Sequence, residues 1–131
     1  MPERAVEMVR REGDRYFVRL SVETAVYTSL EGKPDEFLLL TIVGSYDPKL
    51  KMLKQKINEK AICRTSTFKD SRGFDHPSVI IPAEIVREYK IEEGEYLELL
   101  IEHIVKEDKI AAIYPNLEVL QSYPYWWRKI T

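Results

Sequence analysis

The segment from Ser78 to Leu99 most narrows what this chain can fold into: a short apolar run meets a proline, a brief helical stretch and a glycine turn, and a long alternating run follows. Ser78-Val79-Ile80-Ile81 reads as a strand. Pro82 suits the start of a helix, because the N–H it lacks would be unpaired in the first turn anyway. Ala83 to Tyr89 forms that helix, with Ile85 and Tyr89 four apart on its core-facing side. Gly94 supplies the backbone freedom for the turn within Ile91–Glu95. Tyr96 to Val105 is a long strand with Leu97, Leu99, Ile101 and His103 on one side, and a turn over 106–109 leads to a last strand, Ile110 to Tyr114. One such unit has too little core and leaves strand edges unpaired, so it needs a second.

The first half supplies a candidate. Val18, Leu20 and Glu23 fall on Val79, Ile81 and Glu84, and Leu30 falls on Ile91; Glu36, Phe37, Leu38, Leu40 and Ile42 fall on Glu95, Tyr96, Leu97, Leu99 and Ile101 at a shorter offset. The Lys33-Pro34 turn absorbs the difference. Residues 15–22 read as a strand with Tyr16, Val18, Leu20 and Val22 on one face, and Glu36 to Val43 as another, ended by Gly44–Pro48. Thr24, Val26, Tyr27 and Thr28 stand where good helix formers would be wanted, so the first helix is short or absent. From Lys49 to Lys60, Leu50, Leu53 and Ile57 have helical spacing among lysines, the pattern of an amphipathic helix or helical linker. Ala61 to Phe68 is a strand and Lys69 to Pro77 a polar loop. The chain thus divides into a first half (1–47), a basic linker or helix (48–60), a better-patterned second half (61–114) and an aromatic tail (115–131). The fold class is mainly β with short helices (α+β), with an internal pseudo-twofold repeat.

Composition excludes several classes. No run reaches the roughly 18 apolar residues of a membrane helix, and Met1-Pro2-Glu3-Arg4 does not open like a signal peptide, so the expected location is the cytoplasm without membrane contact. Cys63 is the only cysteine, which rules out an intrachain disulfide and fits a buried small side chain. His76 and His103 lie in different elements without metal-ligand spacing, so neither metal nor other cofactor is expected. No phosphate-cradling glycine loop, nucleophile elbow or clustered acidic pair marks an enzyme. Glu, Lys and Arg dominate over Asn and Gln, a balance seen in proteins from hot environments. With a net charge of -2 there is no global basic field, so nucleic-acid binding would need a local patch.

The run from Ser78 through Pro82, Glu84, Ile91, Gly94 and Leu99 resembles the core of the AbrB/MazE/SpoVT swapped-hairpin family: strand, Ile-Pro, Glu, short helix, acidic-Gly-acidic turn, strand. The resemblance implies two interleaved units in one barrel. With two copies in this chain one molecule would close it, and any homodimer would be a higher assembly. It also implies binding of double-stranded DNA, as a transcription regulator or chromatin-associated protein. Basic residues in the family's contact positions would be Arg64 on the preceding strand, Lys69 and Arg72 in the loop and Arg87 on the helix, with Arg15 and Arg19 in the first half. Lysine and arginine neutralise phosphates, and arginine also pairs with guanine. The sequence departs from the family in a longer 69–77 loop diluted by Asp70 and Asp75, in Ser78 where a basic residue is usual, and in Ser21 where the first half would carry proline. The alternative is a protein-interaction module, an antitoxin or assembly subunit, docking a partner through Tyr125, Trp126 and Trp127.

Overall fold

The computed structural model describes residues 3–30, 36–49, 51–106, 117–120 and 126–129, the last two segments as backbone strands. In chain order the elements are β1 (Glu3–Glu12), β2 (Arg15–Arg19), α1 (Val22–Thr28), β3 (Glu36–Tyr46), β4 (Leu53–Lys69), β5 (Asp75–Ile81), α2 (Ala83–Tyr89), β6 (Tyr96–Lys106), β7 (Leu117–Leu120) and β8 (Trp126–Lys129). The strands run in the order β3-β6-β1-β2-β5-β4, and β4 returns to pair with β3, closing an antiparallel barrel of six strands. β2, β3, β5 and β6 have paired neighbours on both sides, whereas β1 passes from β6 to β2 and β4 from β3 to β5 along their length, so closure relieves most of the edge problem of an isolated hairpin. β8 adds to β4 at Ala61↔Arg128 and Ile62↔Trp127, and β7 pairs with β8. Among the described residues no helix is long and apolar enough to cross a membrane.

Alternation builds the core. Val9, Val18, Val79, Leu38, Leu40, Leu97, Leu99 and Ile101 point inward and are fully buried, as period-two side-chain direction requires. Cys63 belongs to the same cluster, and burial pushes its thiol well above the ordinary range. A second cluster, Phe37, Leu39, Ile62 and Val105, forms on the other face of β3, β4 and β6. The pairing of β6 explains how both are served. Its register with β3 shifts between Leu39↔His103 and Leu40↔Ile101, leaving Glu102 as an extra residue. That bulge reverses the alternation, so His103 is exposed instead of following Leu97, Leu99 and Ile101 inward, while Ile104 packs on the main core.

Both helices span seven residues, too short to persist without packing. α1 forms despite its poor helix formers because Ser21 caps it: the Thr24 N–H donates to the Ser21 hydroxyl at 3.1 Å. Each helix stops at a left-handed residue, Ser29 or Lys90, and the next residue, Leu30 or Ile91, donates its N–H back to Ala25 or Val86 and buries its side chain. This is the C-terminal capping geometry that joins a helix end to the core.

The reading of 48–60 as a basic linker or helix is corrected. A turn closed on Asp47, whose carboxylate accepts the Lys51 and Met52 N–H groups, leads directly into β4. The ladder to β3, through Tyr46↔Leu53, Ser45↔Gln55 and Gly44↔Lys56, takes the backbone hydrogen bonds that a helix would have used. Ile57 is the buried member of the supposed apolar stripe; Leu53 is exposed, and Leu50 lies outside the described residues. β2 ends at Arg19, not residue 22, because Ser21 starts the helix, and Val22 is solvent-facing. β3 continues through Gly44 to Tyr46, and β4 and β5 shorten the 69–77 loop to 70–74. β1 has no counterpart in the sequence reading, and the strand expected at 110–114 lies outside the described residues.

Gly44 sits beside the irregularity where β3 slips register against both neighbours. A Cβ there would come within 2.7 Å of the Gln55 carbonyl oxygen, a backbone atom that cannot swing away. Gly44→Ala is expected to lower stability by about 1–3 kcal/mol in urea unfolding; an unchanged midpoint would refute the tight approach of β3 and β4.

Candidate nucleic-acid interface

Two hairpins, β1–β2 and β4–β5, join edge to edge along β2 and β5 with Val18 opposite Val79. Since Val9, Val18, Val79 and Thr65 face the core, their strand neighbours Arg10, Phe17, Arg19, Ile80, Ser78, Ser66 and Phe68 face outward. The outer face is not flat. Glu12 and Arg15 at the tip of one hairpin and Phe68 and Lys69 at the tip of the other line the same pocket of about 170 Å³, whose floor includes Phe17, Ile80 and Ser78. The sheet therefore coils so that its two hairpin tips lean over its outer face, as strong strand twist allows.

Aromatic and cationic groups interlock there. The Phe17 and Phe68 rings lie 5.4 Å apart between centroids, tilted by 40°. The Arg10 guanidinium sits 5.4 Å and that of Arg19 6.0 Å from the Phe68 centroid, within range of the attraction between a cation and a ring face. Burial pushes the Glu7 carboxyl up, and Arg19 and Arg10 pull it back down. Arg11 stands over Tyr16 at 5.6 Å and donates to the Gly13 carbonyl at 2.8 Å, which fixes the tip of its own hairpin.

Of the residues that the sequence singled out, Arg15 and Arg19 come to this face, and Arg10 joins them; Lys69 lines the pocket from the β4–β5 tip, its ammonium 3.7 Å from Asp75. The others do not. Arg64 lies over the Phe37 ring at 4.8 Å, on the second apolar cluster. Arg72 is in the β4–β5 loop, 3.5 Å from Asp70 and stacked on Phe74 at 5.3 Å. Arg87 is exposed on α2, at the opposite end of β5 from that loop, roughly 20 Å away along the strand. Trp126 and Trp127 lie on β8, which pairs with the chain's own β4, and Tyr125 lies outside the described residues. A sequence signal that could have found Arg10 is its place ahead of Arg15 and Arg19 in an arginine-rich stretch. Its grouping with Phe68 depends on pairing register, which residue type does not reveal.

The β4–β5 tip is held by Asp70. One carboxylate oxygen accepts the Arg72 and Phe74 N–H groups at 2.9 and 3.0 Å, and the other is 2.8 Å from His76 Nε2. The His76 hydrogen bond, reinforced by these backbone donors and Arg72, holds the Asp70 carboxyl well below the usual carboxylate range. Among the described residues no three His, Cys, Asp or Glu side chains are grouped to hold a metal ion. Comparison with protein-family profiles, curated proteins and solved structures finds no match for this chain.

A carboxyl depressed in the folded state stabilises that state above its unfolded pKa and loses the effect as pH falls through the folded value. The stability difference between the wild type and Asp70→Asn should therefore be constant from neutral pH to roughly pH 5 and shrink below about pH 4. Unfolding curves at each pH test this; a gap that grows on acidification would refute the assignment.

Proposed function

We propose that this chain is a DNA-binding protein of the AbrB-like swapped-hairpin type, with both units in one polypeptide, acting as a transcription regulator or chromatin-associated protein. The two-unit reading is supported by an exchange property of the strand pairing. Swapping β1 with β4, β2 with β5 and β3 with β6 turns the ladder β1–β2 into β4–β5 and β1–β6 into β4–β3, and returns β2–β5 and β3–β6 to themselves. The registers follow. Glu3↔Ile101 answers to Glu59↔Ile42, Ala5↔Leu99 to Ala61↔Leu40 and Val9↔Val18 to Thr65↔Val79. The matches of Val18 with Val79 and Leu40 with Leu99 are those made by aligning the halves as sequence, and one constant shift of β1 onto β4 satisfies both remaining ladders.

The observation that carries the functional reading is the gathering of Arg10, Arg15 and Arg19 on one outer face around Phe17 and Phe68, with Lys69 at the facing hairpin tip. In a protein with a net charge of -2 these cations form the local patch that phosphate binding needs. Hairpin tips that project beyond the barrel wall can follow a duplex backbone while the sheet face sets orientation. Contacts come chiefly from β1–β2, so the two halves contribute unequally.

Titration of a fluorescent duplex at several salt concentrations tests the proposal. Wild type should bind with an affinity that falls steeply with salt, and Arg10→Glu, Arg15→Glu and Arg19→Glu combined should abolish binding while far-ultraviolet circular dichroism stays unchanged. Arg64→Gln and Arg87→Gln should each change affinity by less than about threefold. Absence of duplex binding at low salt would overturn the proposal.

A further inference from the structure

We infer that the groove between the two hairpin tips takes one unstacked nucleotide of a single-stranded nucleic acid, with the flanking phosphates held at the tips. This rests on the reading of the face as a nucleic-acid surface and says which form of strand enters it. The groove is lined by half-buried Phe68, packed on the buried Phe17 ring, and the Arg10 and Arg19 guanidinium groups that rest on Phe68 extend its stacking surface. A ring recognises the face of a base, and in a duplex the faces are covered by neighbouring base pairs, so that only edges reach the grooves. The aromatic pocket of about 170 Å³ between the two tips is thus matched to a single splayed base, while a duplex would meet only the cations around it. Ser66 and Ser78 line the same space and bring hydroxyl groups suited to the polar edge of a base. Arg15 on one tip, across the ladder from Glu12, and Lys69 on the other, 3.7 Å from Asp75, stand where the strand would enter and leave, so that a phosphate would compete with these carboxylates for each cation.

Single-strand binding tolerates sequence, because every base has a face to stack, and arginine on an aromatic ring extends the stacking surface. The shared chemistry is an unpaired nucleotide, and both DNA and RNA can supply it.

The test compares a fluorescent oligothymidylate, an oligouridylate and a duplex of equal length, titrated at one low salt concentration with wild type, Phe68→Ala and Phe68→Leu, the leucine retaining bulk without a ring. Thermal melting of each variant reports folding. Expected is single-strand binding by wild type, weakened roughly tenfold to a hundredfold in the folded Phe68 variants, with duplex affinity changed less than about twofold. Thymidylate alone, uridylate alone or both binding identifies DNA, RNA or either as the source. Duplex binding without single-strand binding, or equal loss of both in a folded Phe68 variant, overturns the inference and leaves the duplex reading standing. Single-strand binding without duplex binding supports the inference and overturns the duplex form of the proposed function. No binding to any probe overturns both.

Discussion

The ladder between β2 and β5 is the joint on which the rest of the molecule depends. Each hairpin, β1–β2 or β4–β5, has one strand whose outer edge would face water, and neither has enough apolar surface to stand alone. Setting Val18 against Val79 pairs those edges and brings two buried side chains into the centre of the core. The two strands are antiparallel, so the helices that follow them leave from opposite ends. α1 leads to β3 and α2 to β6, and these two strands meet on the far side of the barrel. The face above the joint becomes the floor of the groove, because coiling about it brings both hairpin tips over Phe17 and Ile80.

The side chains are far less symmetrical than the pairing. α1 exposes Val22, Val26 and Tyr27, whereas the corresponding positions of α2 are Ala83, Arg87 and Glu88. The outer face of β1–β2 carries Arg10, Arg15 and Arg19, whereas that of β4–β5 carries Ser66, Ser78 and Ile80. Inward positions keep their apolar character in both halves because one core must be filled from both. Outward positions away from the buried floor of Phe17, Ser78 and Ile80 are under no such packing constraint.

What could be read from the sequence follows the same division. α2 was legible to the residue, because Pro82 marks its start and Ile85 fixes its buried side. The first half of β4 was not, because Leu53 and Ile57 happen to be four apart, and only the ladder to β3 distinguishes a strand there. β1 was missed because only Ala5 and Val9 are buried along it, and Glu7 between them on the same side, with Val6 and Met8 on the other, blurs the alternation. The inward fate of Ile104 and the outward fate of His103 turn on one bulged residue, Glu102, that no local propensity announces. For the candidate site, the sequence supplied residue types but not their company. It weighted the second half, where Arg64 is packed on an aromatic ring and Arg72 is drawn to Asp70, and undervalued Arg10, whose partner Phe68 is remote in sequence.

The pairing of β1 with β6 joins residues as distant as Glu3 and Ile101. The β1–β2, β3–β4 and β4–β5 contacts link strands adjacent in the chain and carry a small loop-closure cost, whereas the seam between β1 and β6 requires nearly the whole chain to be gathered first. The β1–β6 ladder is thus the pairing with the largest loop-closure cost, and in a chain that has not yet formed it the edges of β1 and β6 are the surfaces left open to mispairing.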